Sequence, residues 1–318
     1  MDRVLFVSEN QLGRCENLTA VWDAYDGDKE FRLHHSSMRT AEREGFDAVV
    51  FDALPVFMEG KAHCKTVNLC HGITGNKLYG SDEGDRAPWF DAEASMQTDY
   101  AIAASDAHVP MVARQLCIPQ KRVLPLGFPR TDAYFSRQSV ERPSERVYLY
   151  APTFRNGDGR LPRIDWMRLD RMLNDGERLI VKRHYYMGEP LMRGQNMQRI
   201  IEVGSEEPLV RYMLSCDVLI TDYSSAMFDA HLLGKPTVLL VDDMAEYIAK
   251  RGMYYPYPQF YSSRWLYVEG CEEYLVAMLR EAAENGLTDT ERACIETVAG
   301  ACDGHSTERV CELIKNLI

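Results

Sequence analysis

The feature that most limits the possible folds is an alternation that runs twice along the chain. Short apolar runs of strand length alternate with segments of helical spacing, stop at a polar stretch, and start again. In the first half the apolar runs are 4–8, 47–52, 66–70, 100–104 and 123–126, with helical spacing at 107–116. In the second half they are 147–150, 179–181, 200–203, 218–221, 237–241 and 265–268. Strands alternating with helices predict parallel sheets covered on both faces. The polar stretch 136–146, SRQSVERPSER, has no apolar face to bury and reads as a linker. The expectation is two α/β domains, 1–136 and 146–318. The second would include helical stretches at 271–284, 290–298 and 307–317, the last with Val310, Leu313, Ile314 and Leu317 on one face. Such sheets bind ligands beyond the carboxyl ends of their strands, so a cleft between two facing halves is the expected site.

Composition removes several function classes. The chain has 318 residues, 46% of them hydrophobic, and a net charge of -12 with no long basic run. That balance argues against nucleic-acid binding and against broad attraction to anionic lipid. It leaves room for a local cationic pocket around a phosphate-bearing substrate. The nine cysteines are odd in number and form no CxxC pair, so neither a disulfide framework nor a zinc site is expected. The start, MDRVLFVSEN, is too short and too acidic for a signal peptide and reads as a first strand. No run of 18 apolar residues exists. The expected location is the cytoplasm. Membrane contact would be peripheral at most, at the inner face of the cell membrane. Oligomeric state stays open.

The strand ends carry the chemistry. In 218–230, VLITDYSSAMFDA, a buried strand runs into Asp222, Tyr223, Ser224 and Ser225, and then into helical spacing. A strand, a polar turn and a helix start make an anion site, or simply a capped helix. His71-Gly72 follows 66–70, Arg130 and Asp132 follow 123–126, and Thr153 and Arg155 follow 147–150. Lys182-Arg183-His184 follows 179–181. His71 is the candidate base, because an imidazole titrates near neutrality and Gly72 lets a substrate approach. A lone histidine is more often held by loop hydrogen bonds. Arginine matches phosphate oxygens bidentately, and a Lys-Arg-His cluster suits a diphosphate. Either could also be a solvated surface group. His34-His35 sits at the end of a possible strand, where adjacent residues point to opposite faces. His63-Cys64 and Cys70-His71 are not metal spacings, and there is no GxGxxG, Walker loop or Gly-x-Ser-x-Gly. Asp242-Asp243 reads as a strand end capping the next helix rather than a metal site. No metal and no cofactor are expected.

In chain order the motifs are HGITGNK (71–77), LGFPRTD (126–132), YAPTFR (150–155), VKRH (181–184), ITDYSSAMFD (220–229), KPTVLLVDDMAEYIAKRGMYY (235–255) and DGHSTERV (303–310). Together they resemble the CDP-glycerol:poly(glycerophosphate) glycerophosphotransferase family, the teichoic-acid polymerases and primases. The resemblance covers the chain from about Thr66 onward. It implies a GT-B architecture of two Rossmann-like domains facing a central cleft. It implies transfer of glycerol phosphate from CDP-glycerol to an acceptor hydroxyl, with release of CMP. The family's two functional histidines fall on His71 and His184. Its donor-binding segment falls on Asp222, Ser224 and Ser225, and Tyr223 and Asp229 belong to the same block. Two departures stand out: Ile73-Thr74-Gly75 replaces the usual Thr-Pro after His-Gly, and 256–264 lacks the usual Pro-Gly element.

The expected partners are CDP-glycerol or a related CDP-polyol and a polymer or lipid-linked acceptor. The rivals are a CDP-ribitol enzyme, a sugar-nucleotide glycosyltransferase or epimerase of the same fold, and an inactive nucleotide-binding partner in a polymer-assembly complex. The last would predict loss of His71 or His184, and both are present.

Overall fold

The computed structural model describes residues 3–8, 10–12, 16–33, 40–52, 63–70, 72–79, 82, 97–136, 144–153, 163–183, 192, 196–204 and 207–318. The chain divides into two compact units, one of residues 1–136 with 296–318, the other of residues 137–295.

The first unit holds strands β1 (Arg3–Ser8), β2 (Asp28–Leu33), β3 (Ala48–Phe51), β4 (Lys65–Asn68), β5 (Tyr100–Ile102) and β6 (Val123–Leu124). They form one sheet in the order β2-β1-β3-β4-β5-β6, every neighbouring pair parallel. β3 is buried along its whole length, and β1 everywhere but its first residue, which is why they read as unbroken apolar runs. β2, DKEFRL, is not one of the apolar runs, and the sequence offers it only as a possible strand ending at His34-His35, for the opposite reason. It is a charged edge strand in which Glu30 pairs with Arg3 at 2.7 Å and with Arg32 at 2.7 Å. Charge on an edge discourages pairing with another chain, and it also hides the strand from a hydrophobicity reading.

The second unit holds β7 (Arg146–Tyr150), β8 (Glu177–Lys182), β9 (Ile200–Val203), β10 (Val218–Thr221), β11 (Thr237–Leu240) and β12 (Trp265–Leu266), in the order β12-β11-β10-β7-β8-β9, again all parallel. Alternate residues of β7 serve opposite faces, as the strand period of two requires. Tyr148 and Tyr150 join Leu179, Val218, Ile220 and Val238 against Leu275, Val276 and Leu279 of the helix Glu272–Asn285. Val147 and Leu149 join Leu219 against Met213, Ala226 and Ala230 on the other face. Each Val, Leu, Ile or Met among these contributes about 1.5–3 kcal/mol on burial. The helix Glu272–Asn285 is also pinned by charge. Arg280 donates to both oxygens of Glu177, at 2.9 and 2.8 Å, and Tyr148 Oη donates to Glu177 at 2.9 Å. The bonds from Arg280 are the main cause that holds the Glu177 carboxyl down, to about 2.

The sequence expectation gave all of 146–318 to the second domain, and the packing corrects it. Residues 296–318 belong to the first unit. Ala301 N–H donates to Ala104 O at 2.8 Å, Ser105 Oγ to Thr297 O at 2.6 Å, and Lys315 pairs with Asp26 at 2.7 Å. Val310, Cys311 and Ile314 form the buried stripe of the helix Ser306–Leu317, which packs near the helix Glu16–Ala24. An apolar stripe shows that a helix face is covered but not by what, so the sequence pattern alone could not make this distinction.

Candidate functional site

In the second unit the strand order reverses between β7 and β10, which lie side by side. Ligands of open parallel sheets bind beyond the strand ends at such a reversal. The residues that leave β7 there are Ala151-Pro152-Thr153, and those that leave β10 are Asp222 to Ser225. The two ends are tied together. Thr153 N–H donates to Asp222 Oδ1 at 2.8 Å, and Thr221 Oγ1 donates to Ala151 O at 2.6 Å. Asp222 is fully buried, and its carbonyl accepts from Tyr257 Oη at 3.2 Å.

The turn then enters the helix Ala226–Leu232. Ser224 Oγ accepts the Ala226 N–H at 3.2 Å. Ser225 occupies the N-cap position without a side-chain cap bond, and both serines are partly exposed. Tyr223 has a packing role. Its ring is fully buried and stacked on Tyr247 with centroids 3.7 Å apart, and its hydroxyl donates to Asp243 at 2.8 Å. Asp229 is buried in the first turn of the same helix, where a carboxylate favours the positive end of the dipole.

Asp242 and Asp243 do follow a strand, and Asp243 stands at the N-cap position of the helix Met244–Arg251. Asp243 makes no side-chain cap bond, and Asp242 Oδ1 accepts from Val268 N–H at 2.7 Å. Among the described residues no group of three or more His, Cys, Asp or Glu side chains is placed to hold a metal ion. The basic cluster after β8 carries its own counter-ion. Arg183 is paired with Glu202 of β9, and the nearly buried Lys182 donates from Nζ to Arg183 O at 3.0 Å. His184 and Arg155 lie outside the described residues.

In the first unit, β4 runs into Leu69 and Cys70, and His71, the next residue, lies outside the described residues. Gly72 is described, and Arg130 meets it. A Cβ placed on Gly72 would lie 3.7 Å from the Arg130 guanidinium. Arg130 sits in the short turn Pro129–Thr131. Its Nη1 donates to Glu16 and to Tyr134 Oη, each at 3.3 Å. Asp132, a substrate-binding candidate in the sequence, is placed otherwise. Its two oxygens accept the N–H groups of Ser306 and Thr307 at 3.0 and 2.7 Å, so its carboxylate serves the start of the helix Ser306–Leu317.

Two supports of this region went unnoticed in the sequence. One is Asn17, on the helix Glu16–Ala24, which bonds Leu69, Cys70 and Arg130. The other is His108. Its Nδ1 accepts the Ala104 N–H at 3.1 Å, and its Nε2 lies 3.1 Å from Thr74 Oγ1, which donates to Gln115 Oε1 at 3.0 Å. Burial pushes the His108 imidazole down to about 4. The only sequence signal either leaves is a polar residue in or just before a helix, Asn17 within Glu16–Ala24 and His108 at the N-cap of Val109–Gln115.

The profile of the family described as CDP-Glycerol:Poly(glycerophosphate) glycerophosphotransferase matches residues 33–316. The chain belongs to that family. The teichoic acid ribitol-phosphate primase of Bacillus spizizenii strain W23 is 28% identical over 69% of this chain and 60% of its own length. The teichoic acid glycerol-phosphate primase of the same organism is 34% identical over 41% of this chain and 37% of its own length. The chain therefore spans less than two thirds of either relative. The solved structure of the wall teichoic acid polymerase TagF superimposes with a TM-score of 0.75 over 99% of this chain and 88% of that one, at 20% identity. The fold of this family member is thus the GT-B-like type with two parallel-sheet units.

Proposed function

We propose that the chain moves a polyol phosphate from a CDP-activated polyol to an acceptor hydroxyl and releases CMP, in the synthesis of a teichoic-acid or capsule-like polymer. The observation that carries this reading is the family match across residues 33–316, which takes in the strand-end motifs of both units. In the proposed step the acceptor oxygen attacks the β-phosphorus of the donor. The bond from that phosphorus to the CMP oxygen breaks, and CMP leaves with the electron pair. His71 takes the acceptor's proton, and Arg130, next to Gly72, neutralises charge on the phosphoryl oxygens. The Asp222–Ser225 turn with Thr153 holds the donor phosphates, and Ser225 Oγ makes no cap bond that a phosphate would have to displace. Lys182, His184 and Arg155 offset the charge of departing CMP. Catalysis of this kind is positioning and electrostatics.

CDP-glycerol is the first choice of donor. CDP-ribitol is the second, favoured by the similarity to the ribitol-phosphate primase. The acceptor is a polymer or lipid-linked chain, met at the cytoplasmic face of the membrane. No described helix is long and apolar enough to cross a membrane. The test is a melting series with CDP-glycerol, CDP-ribitol, CMP, UDP-sugars and GDP-sugars. A ligand at a hundred times its Kd stabilises the native state by about 2.7 kcal/mol, so a bound donor raises the midpoint measurably. Cytidine donors should raise it most. Equal or larger shifts with a UDP-sugar would move the assignment to sugar-nucleotide chemistry.

A further inference from the structure

We propose that Asn17 is a positioning residue for this transfer, one buried amide that ties the turn before His71 to the turn carrying Arg130. The inference rests on the phosphotransferase reading for its kinetic consequence, but the tie itself is read from geometry. Asn17 is 3% exposed. Its Nδ2 donates to Leu69 O at 3.3 Å and to Cys70 O at 3.2 Å, and its Oδ1 accepts the Arg130 N–H at 3.1 Å. Two carbonyls face the nitrogen and one N–H faces the oxygen, so only one orientation of the amide satisfies all three bonds. Both donor protons are used.

The turn at Cys70 needs such a hold. Cys70 has φ +54, in the left-handed region that a residue with a Cβ rarely adopts. A conformation of that kind costs roughly 1–3 kcal/mol and persists where its surroundings over-determine it. Three groups do so here. Asn68 Oδ1 accepts the Cys70 N–H at 2.8 Å, Cys70 Sγ donates to Ile102 O at 3.5 Å, and Asn17 holds the carbonyls on either side of the Cys70 nitrogen. Asn68 and Ile102 act on the turn alone. Asn17 alone among these joins it to a second turn. Its neighbour Glu16 pairs with the Arg130 guanidinium at 3.3 Å, so adjacent residues of one helix hold both the backbone and the side chain of Arg130. His71 follows Cys70 directly, and Gly72 meets Arg130. A helix with no recognisable motif therefore couples the histidine and arginine motifs.

The decisive variant is Asn17→Asp in the full chain. It keeps the size of the side chain and the acceptor for Arg130, but turns a carboxylate oxygen towards two carbonyls. The first measurement is hydrogen exchange without ligand. Protection should fall together in 69–77 and 128–132 and stay unchanged in 98–104 and 218–240. Unchanged protection in either turn, or loss throughout the first unit, overturns the tie. The second is a double-mutant cycle with His71→Ala, read by single-turnover rate at saturating donor. Asn17→Asp should lower the rate on the order of tenfold to a hundredfold, as a misplacement of about an ångström does. Donor affinity should change less than about twofold, and in the His71→Ala background the rate loss should shrink to less than about threefold. An equal loss in both backgrounds, or none in either, overturns the positioning role. If the native chain turns over no CDP-polyol at all, the phosphotransferase reading fails, and the exchange measurement still decides the tie.

Discussion

At Thr74 the hydroxyl has one proton, and its surroundings settle where that proton goes. Gln115 Oε1 is an acceptor only, so Thr74 donates to it, and His108 must donate to Thr74 from Nε2. His108 Nδ1 then accepts from Ala104, and the imidazole is neutral with every ring nitrogen engaged. A second proton would face the Ala104 N–H. His231 is a parallel case in the second unit. It is buried beside Thr237 and Glu291, and desolvation outweighs the pull of Glu291 and pushes it down to about 4. Both folded values lie below the unfolded value of about 6.5. Between those limits the unfolded chain binds more protons, so each histidine adds stability that is complete above about pH 6.5 and is lost as the pH falls towards 4. Denaturation at a series of pH values should show a loss on the order of 1–3 kcal/mol per histidine over that interval. His108→Gln and His231→Gln should flatten the dependence. A slope unchanged in both variants would contradict the lowered values of these rings.

The elements nearest the candidate site are fixed by the end of the chain. Gly127 begins the GFPRTD turn with φ +79. A Cβ there would lie 2.3 Å from Ser306 Oγ and 2.4 Å from Ala301 O. Backbone oxygen cannot rotate away as a flexible side chain can. Gly127→Ala therefore combines a left-handed backbone with an overlap, and should cost on the order of 3 kcal/mol or more. Thermal melting checks this, and a midpoint within a degree or so of the native one would contradict the tight fit. The same contacts show what sequence reasoning could and could not reach. Parallel strands were legible because 48–51 and 218–221 are continuous apolar runs, and the Asp222–Ser225 turn was legible as a strand-to-helix junction because it follows such a run directly. Asp132 was not legible as a helix cap, because the helix it serves starts at Ser306, far along the chain. Asn17 was not legible because its partners lie more than fifty residues away. Local pattern reports propensity and burial, whereas hydrogen-bond partners of that separation are set by the tertiary fold.

At the scale of the molecule, two parallel-sheet units carry different candidates: Arg130 with Gly72 in the first, the Thr153–Asp222 junction in the second. The acidic chain, with net charge -12, carries residues suited to phosphate directly after several of its strand-forming runs in the sequence. Whether that arrangement performs phosphoryl or glycosyl transfer depends on which donor bond breaks, and fold likeness cannot distinguish them. Attack at the β-phosphorus leaves CMP as the leaving group and adds a polyol phosphate to the acceptor. Attack at carbon leaves the nucleoside diphosphate. The most direct measurement is chromatographic identification of the nucleotide released when the protein is incubated with CDP-glycerol or CDP-ribitol and a polyol-phosphate acceptor. The account predicts CMP, formed in step with growth of the acceptor by one polyol phosphate per turnover and slowed on the order of a hundredfold or more in His71→Ala. Release of CDP, or turnover of a UDP-sugar with neither cytidine donor consumed, would contradict it.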